Sequence, residues 1–371
     1  MLSAQWCFSP QTKPPSSQAK RLLSMAALTF TNNFYQQKPE DKKMERRTFL
    51  KTTTLAAAAL ATPWLVRAQS AKTLRIGTIT PGSHFWTQTM DRVGTSLAEK
   101  SGGMFETQVF PSGQLGNEAT MIQQIQAGGL EMGFLTVAEF SNRIDDMSAL
   151  FAPYLVPDVT HASKLLTGAT ATGMLDQFSS LGMKGLGFGL GGMRHLISRD
   201  EAQTSADLAG RKYRITPFAA LRDFYGLMGV APTPVPLPGL FDALANGQVD
   251  GADIDLELAW KLKLYDQAPN LKTTSQMMFP VVAVVSGRYW AALSDEEKMM
   301  LSETVSEQID WLFSQYIEFE PKWLDDLKGT GMNVTTADPA FFGDTLGKWS
   351  GIWEPKAPSI IGLREEAAAL M

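Results

Sequence analysis

From Leu74 onward, apolar positions recur in two different rhythms along this chain, and the changes of rhythm mark out its elements. Leu74-Arg75-Ile76-Gly77-Thr78 reads as a strand, after which Trp86, Met90, Val93 and Leu97 recur at three- and four-residue spacing, as one face of a helix does. Phe105 to Phe110 reads as a second strand. Pro111-Ser112-Gly113-Gln114-Leu115-Gly116 then makes a turn, Asn117 stands where a helix cap belongs, and that helix runs through Ala127 to a stop at Gly128-Gly129. Leu130 to Leu135 returns as a strand, and further strands are expected at Lys184 to Phe188, Arg194 to Ser198, Lys212 to Ile215 and Pro280 to Val285. Short apolar strands alternating with helical patterns predict α/β architecture.

Beyond Leu293 the pattern becomes purely helical. Ser294 can cap a helix with Glu297 reaching back, and Leu301, Val305, Ile309, Leu312, Tyr316, Phe319, Trp323 and Leu327 keep the helical period. Such a helix would span roughly 50 Å, long enough to cross two lobes. Two consecutive helices with a break near Pro321 would give the same spacing.

The first 68 residues follow neither rhythm. Met44-Glu45-Arg46-Arg47-Thr48-Phe49-Leu50-Lys51 leads into the small-residue apolar stretch Thr52 to Leu65 and then Val66-Arg67-Ala68, the layout of a secretory signal with a cut before Gln69. The pair Arg46-Arg47 followed by Phe49-Leu50-Lys51 resembles a twin-arginine export signal; the alternative is an ordinary buried helix. Residues 1–43 are expected to be an upstream segment, 44–68 the signal peptide, and Met44 the true start. No cysteine stands at the cut to carry a lipid.

Removing that leader changes the charge. The whole chain has 33 Lys+Arg against 38 Asp+Glu. Ten of the basic residues and three of the acidic ones lie in the leader, so the body carries a net charge of about −12. A body that acidic, without a run of Lys or Arg, argues against nucleic acid and against anionic membrane surfaces. The only cysteine, Cys7, is in the leader, and His84, His161 and His195 are too far apart for a local metal motif. No apolar run after the leader is long enough to span a bilayer, so a soluble, redox-inert body without cofactor or metal is expected.

Gly187-Phe188-Gly189-Leu190-Gly191-Gly192 matches a dinucleotide-binding glycine pattern, but Met193 to Ser198 follows it as a strand, with no helix N-terminus to hold a pyrophosphate. Close approach of backbones is the simpler reading. Arg194 interrupts an apolar run, and Arg214 sits within Lys212-Tyr213-Arg214-Ile215-Thr216. A guanidinium withdrawn from water needs a planar anion, which a ligand carboxylate or an internal salt bridge supplies equally well. Arg199 and Arg222 are expected to face solvent. Asp250, Asp253, Asp255 and Glu257 read as a solvated acidic loop rather than a cation site. His84-Phe85-Trp86 follows the first strand's carboxyl end, where open α/β sheets bind ligands, and reads as a pocket wall in which Trp86 belongs to the core. No nucleophile elbow or other catalytic constellation is present, so the chain reads as a non-enzyme.

Taken in order, Pro111-Ser112-Gly113-Gln114-Leu115-Gly116, Gly129-Leu130-Glu131-Met132-Gly133, Gly192-Met193-Arg194, Asp207-Leu208-Ala209-Gly210-Arg211-Lys212-Tyr213-Arg214 and Ala243-Leu244-Ala245-Asn246-Gly247-Gln248-Val249-Asp250-Gly251 resemble the substrate-binding proteins of TRAP transporters, the tripartite ATP-independent periplasmic systems. The resemblance covers about residues 72 to 371. It implies a two-lobed periplasmic binding protein fold, each lobe a sheet flanked by helices, joined by crossing strands and a long helix. Lobe I would comprise residues 72–191 plus 280–319, and lobe II residues 192–279 plus 320–371.

The same resemblance implies that the lobes close on an organic acid for delivery to integral-membrane permease subunits, with the protein itself a periplasmic monomer outside the membrane. Arg214 falls on the family's main carboxylate-binding arginine and Arg194 on a second one. Leu237 falls where relatives often place an aromatic ring, Gly239 where an acidic residue is common, and Ile254 where an asparagine often stands. With Asp253 and Asp255 beside it, Ile254 implies either a ligand bearing an ammonium group or a reshaped wall. The expected ligand-binding set is Arg214, Arg194, His84, Phe85, Thr136, Leu237 and Asp253. The alternatives are a Tat-exported periplasmic enzyme and a binding protein of an ATP-driven importer.

Overall fold

The structure, a computed structural model, describes residues 71–371, so the expected upstream segment, signal peptide and cut site lie outside the described residues. Among the described residues eleven strands form two sheets. The first contains β1 (Lys72–Gly77), β2 (Phe105–Phe110), β3 (Met132–Thr136), β4 (Met183–Met193) and β10 (Met278–Ser286), in the order β2-β1-β3-β10-β4. The second contains β5 (His195–Ser198), β6 (Lys212–Ile215), β7 (Ala231–Pro234), β8 (Gly251–Ile254), β9 (Asn270–Thr273) and β11 (Asn333–Thr336), in the order β11-β9-β5-β8-β6-β7. Helices flank both sheets. This is the expected two-lobed α/β binding-protein fold.

Sequence dictates the first sheet's centre. Every residue of β10 is buried, as its unbroken apolar run demands of a strand covered on both faces. Pro280 is tolerated there because the pairing with β4 shifts register between Met278 and Pro280, so the missing N–H falls at an irregularity of the ladder. On β4 the alternate glycines admit close neighbours: a Cβ on Gly187 would lie 2.9 Å from Ile309, on Gly189 2.9 Å from Leu312, and on Gly191 2.6 Å from Trp86. The glycine run therefore seats a helix and an indole, as the close-approach reading expected.

Three chain segments link the sheets, the longest running from β10 through the long helix to β11, and the other two crossing side by side. β4 passes into β5 through Arg194 alone, and β9 returns to β10 through 274–277. Arg194 is thus the crossing residue rather than the start of a strand, and its N–H donates to the Met277 carbonyl of the other link at 2.8 Å. Five helices pack closest to the crossing or brace the sheets around it: α1 (Phe85–Lys100), α2 (Glu118–Ala127), α3 (Leu256–Lys261), α4 (Asp295–Gly329) and α5 (Ser359–Leu370).

The long helix is continuous. α4 has 35 residues, and Ser294 Oγ accepts from Glu297 N at 3.2 Å while Glu297 accepts from Ser294 N at 2.7 Å. A break at Pro321 does not occur, because the neighbouring turn at Ile317 and Glu318 faces water, which can hydrate the carbonyl left without a partner. About 52 Å long, α4 packs on α1 and β4 at one end and on α3 further along. The last helix, α5, packs beside the first sheet against the helices Val159–Leu166 and Ala169–Met174, with Glu366 accepting from Thr170 N at 2.8 Å.

Candidate functional site

Between the sheets lies a cavity of about 430 Å³. From the first sheet's side it is lined by Ile79, His84, Trp86, Glu118 and Thr136, from the second by Arg214, Thr216, Leu237, Ile254, Asp255 and Leu258, and at the crossing by Gly191, Arg194 and Phe279. Most of these follow the carboxyl ends of strands, where an open α/β sheet leaves its crevice.

The two arginines, alike in sequence, differ in what they touch. Arg194 Nε donates to Asp253 at 2.5 Å, Nη1 donates to Asp255 at 3.2 Å, Nη2 donates to the Asp253 carbonyl, and the guanidinium lies 4.4 Å over the Phe279 ring. Its Nε and one donor on each Nη are committed within the protein, and its charge is paired with two carboxylates. Arg214 is 3 % exposed, and its Nε donates to the Val235 carbonyl at 2.8 Å and its Nη1, more weakly, to the Asp253 carbonyl at 3.4 Å. Among the described residues no carboxylate pairs with it. Burial, with the charge of Arg194 nearby, lowers its pKa to about 10, so it stays protonated at neutral pH. A buried, charged guanidinium without an anion is costly, and here it opens onto a cavity.

Of the acidic residues expected to be solvated, Asp253, Asp255 and Glu257 are instead buried, and only Asp250 is partly exposed, accepting from Lys212 N at 2.8 Å. Asp253 accepts from Arg194, from Tyr225 Oη at 2.8 Å and from Gln276 Nε2 at 2.9 Å, and lies behind the cavity wall. Asp255 caps α3 by accepting from Leu258 N at 2.8 Å. Glu257 accepts from Phe85 N at 2.9 Å, Lys261 Nζ at 2.6 Å and Tyr316 Oη at 2.5 Å. Burial is possible because each carboxylate is matched by donors from other elements, which local sequence cannot display. These carboxylates hold the crossing together, and of the three Asp255 also lines the cavity.

His84 lines the cavity, but its ring is occupied. Nδ1 accepts from Trp86 N at 3.1 Å, Nε2 lies 3.2 Å from Glu257, and burial lowers its pKa to about 3, which leaves it neutral. Phe85 points elsewhere, into a cluster with Trp311, Tyr316, Phe319 and Trp323, with Lys261 Nζ 4.5 Å over its ring. Trp86 is both core and wall: it is buried, stacks on Phe279 with the rings 7° from parallel, and donates from Nε1 to the Leu190 carbonyl at 2.9 Å. Leu237 lines the cavity and Gly239 does not. Arg222 is exposed as expected; Arg199 is half-buried and donates to the Leu244 carbonyl at the end of the helix Leu240–Ala245, which also accepts from Gly247 N.

Glu118 was not read from the sequence as a site residue. It opens α2 directly after the Asn117 cap, where an acidic residue ordinarily complements the helix dipole. Here its carboxyl faces the cavity, accepting from Thr136 N at 2.6 Å and Thr136 Oγ1 at 2.9 Å. Burial raises its pKa to about 7, against the lowering effect of those two bonds. Among the described residues no group of acidic, histidine and cysteine side chains could hold a metal ion. No helix among them is long and apolar enough to cross a membrane.

A two-sheet crossover fold closed round a cavity with one unpaired buried cation defines a ligand-binding protein. The chain belongs to the DctP family, bacterial extracellular solute-binding protein family 7, which matches residues 76–345. It is similar to the 2,3-diketo-L-gulonate-binding periplasmic protein of Escherichia coli, 26% identical over 280 residues that cover 75% of this chain and 85% of that one. It is also similar to the sialic acid-binding periplasmic protein of Vibrio cholerae, 24% identical over 79% of this chain and 89% of that one. A solved TRAP periplasmic solute-binding protein from Desulfovibrio salexigens with bound orotic acid shares the fold, with a TM-score of 0.75 and 24% identity over 80% of this chain and 98% of that one. The protein is a TRAP-type solute-binding protein, and membership sets that reading above the exported enzyme and the ATP-driven importer.

Proposed function

We propose that this protein captures a carboxylic acid in the periplasm, holds its carboxylate on Arg214, and delivers it to the integral-membrane subunits of a TRAP transporter. One observation carries the ligand class: Arg214 is buried, charged and without a carboxylate partner among the described residues, and it faces the cavity. A ligand carboxylate would complete its fork and offset its desolvation. The acids named for the relatives, diketogulonate, sialic acid and orotic acid, support the same class. The Arg46-Arg47 segment, read as a twin-arginine leader, supports export with a processed start near Gln69, and we take the product to be a monomer. Lobes of residues 72–191 plus 280–319 and 192–279 plus 320–371 fit the two sheets, with α5 folding back onto the first.

Calorimetric titration against a panel of organic acids tests the reading. For the acid that binds, Arg214→Ala is expected to cost roughly 2–5 kcal/mol, or about 30- to 4,000-fold in affinity, and Arg214→Lys to restore part of it. Arg222→Ala, on the exposed surface, is the control, since Arg199 carries a structural bond. Binding by Arg214→Ala within about threefold of the parent overturns the carboxylate assignment.

A further inference from the structure

The cavity's remaining wall says what the ligand carries besides its carboxylate. Polar side chains buried in that wall are nearly all engaged with the protein: Thr80 Oγ1 lies 2.9 Å from Thr87 Oγ1, Trp86 Nε1 donates to a carbonyl, Asp255 accepts from Arg194 and Leu258 N, and Thr136 Oγ1 donates to Glu118. Of the buried lining hydroxyls, only that of Thr216 has no protein partner among the described residues. Ser112 and Asn117 at the exposed rim, and the carboxylates of Glu118, Glu139 and Asp255, are the lining groups that can still pair a ligand hydroxyl; against Trp86, Phe279, Ile254, Leu258 and Leu237 each buried hydroxyl of a polyhydroxylated acid would be a loss relative to water.

Charge points the same way. The lining cations are Arg194 and Arg214, and Arg194 is committed to Asp253 and Asp255. Glu118, Glu139 and Asp255 also line the cavity. A second carboxylate on the ligand would find no free cation and would meet these acidic groups instead.

We infer that the ligand is a monocarboxylic acid with an apolar body, aliphatic or aryl. Its carboxylate sits on Arg214, and its body lies against Trp86, Phe279, Ile254, Leu258 and Leu237. This rests on the carboxylate role proposed above for Arg214. A single oxygen beside the carboxylate can be met by Thr216, whereas a chain of hydroxyls cannot. Ile254 then makes the pocket apolar on the second sheet's side, being fully buried at the end of β8.

Calorimetric titration with phenylacetate, isovalerate and hexanoate against succinate and D-galacturonate tests this. The best apolar acid is expected to bind at least about tenfold tighter than both polar acids, a discrimination within reach of unpaired buried polar groups. Ile254→Asn should weaken that acid by about tenfold and narrow its lead over D-galacturonate. Leu237→Asn, on a short 3-10 segment at the cavity edge, makes the same test if Ile254→Asn lowers the melting temperature too far. A smaller or reversed preference, with binding still lost in Arg214→Ala, overturns the apolar ligand and leaves the carboxylate role standing. Binding of none of the five acids, or binding untouched by Arg214→Ala, overturns the carboxylate role and the apolar ligand together.

Discussion

At the scale of single residues, Arg194 and Arg214 show what composition and spacing can and cannot display. Both interrupt apolar surroundings, so both announce a guanidinium that must find an anion. Which anion depends on Asp253 and Asp255, some 40 to 60 positions later, brought to Arg194 by the pairing of β5 with β8. Glu118 was hidden for the opposite reason, because the first turn of a helix is an ordinary place for an acid. Its raised pKa has a consequence for binding. Below pH of about 7 Glu118 holds its proton and leaves Arg214 the only free charge beside it, Glu139 being paired with Arg143 at 2.8 Å. Above that pH it ionises and opposes the incoming anion, so affinity is expected to fall as pH rises through 7, by up to about tenfold per unit if one proton is linked. Glu118→Gln should flatten the dependence. Titrations on either side of neutrality check this, and a slope unchanged by the substitution would remove Glu118 from the linkage.

At the scale of elements, the parts with strong local signals were legible: the Asn117-capped helix ending at Gly128, the Ser294 capping box, and the β6 and β10 runs. The second sheet's outer strands were not. β7, Ala-Pro-Thr-Pro, and β11, Asn-Val-Thr-Thr, are short edge strands without an apolar face, and the prolines of β7 are tolerable only because an edge strand need not donate on both sides. Nor did the sequence reveal how α3 joins the opposite side of the cavity. Glu257 and Lys261, one turn apart on α3, reach residues at the start of α1: Glu257 accepts from Phe85 N, and Lys261 Nζ donates to the Ser83 carbonyl at 2.5 Å. Tyr316 of α4 closes the group through its bond to Glu257. Replacing Glu257 by Leu would leave Lys261 without its anionic partner and the Phe85 N–H without its acceptor, and is expected to destabilise the protein by roughly 3–5 kcal/mol. Glu257→Gln, which keeps one acceptor oxygen, should cost about 1–3 kcal/mol. Urea unfolding curves measure both, and equal losses for the two variants would show that size rather than charge holds the contact.

At the scale of the whole molecule, the two sheets of the described residues are covalently joined by the Arg194 crossing, the 274–277 link and the chain through α4, and contacts such as Phe151 on Phe218, ring centroids 4.5 Å apart, add to these. The α3 to α1 bonds tie together elements from the two sides of the cavity. A ligand bound to Arg214 on one side and Trp86 on the other adds contacts available only in that arrangement, and a ligand shifts an equilibrium by no more than such differential contacts allow. Ligand is therefore expected to draw the protein from an open population into this closed one. A compact chain of the processed length has a radius of gyration of roughly 19 Å, so small-angle scattering of the processed protein should approach that value with saturating acid and exceed it without. Lys261→Met removes a bond between the two sides, while leaving Arg214 and the apolar wall intact. It should raise the unliganded radius, or weaken binding, without altering which acid is preferred. If the scattering curve is the same with and without acid while calorimetry shows the acid bound, closure is not part of capture, and the α3 to α1 bonds serve stability alone.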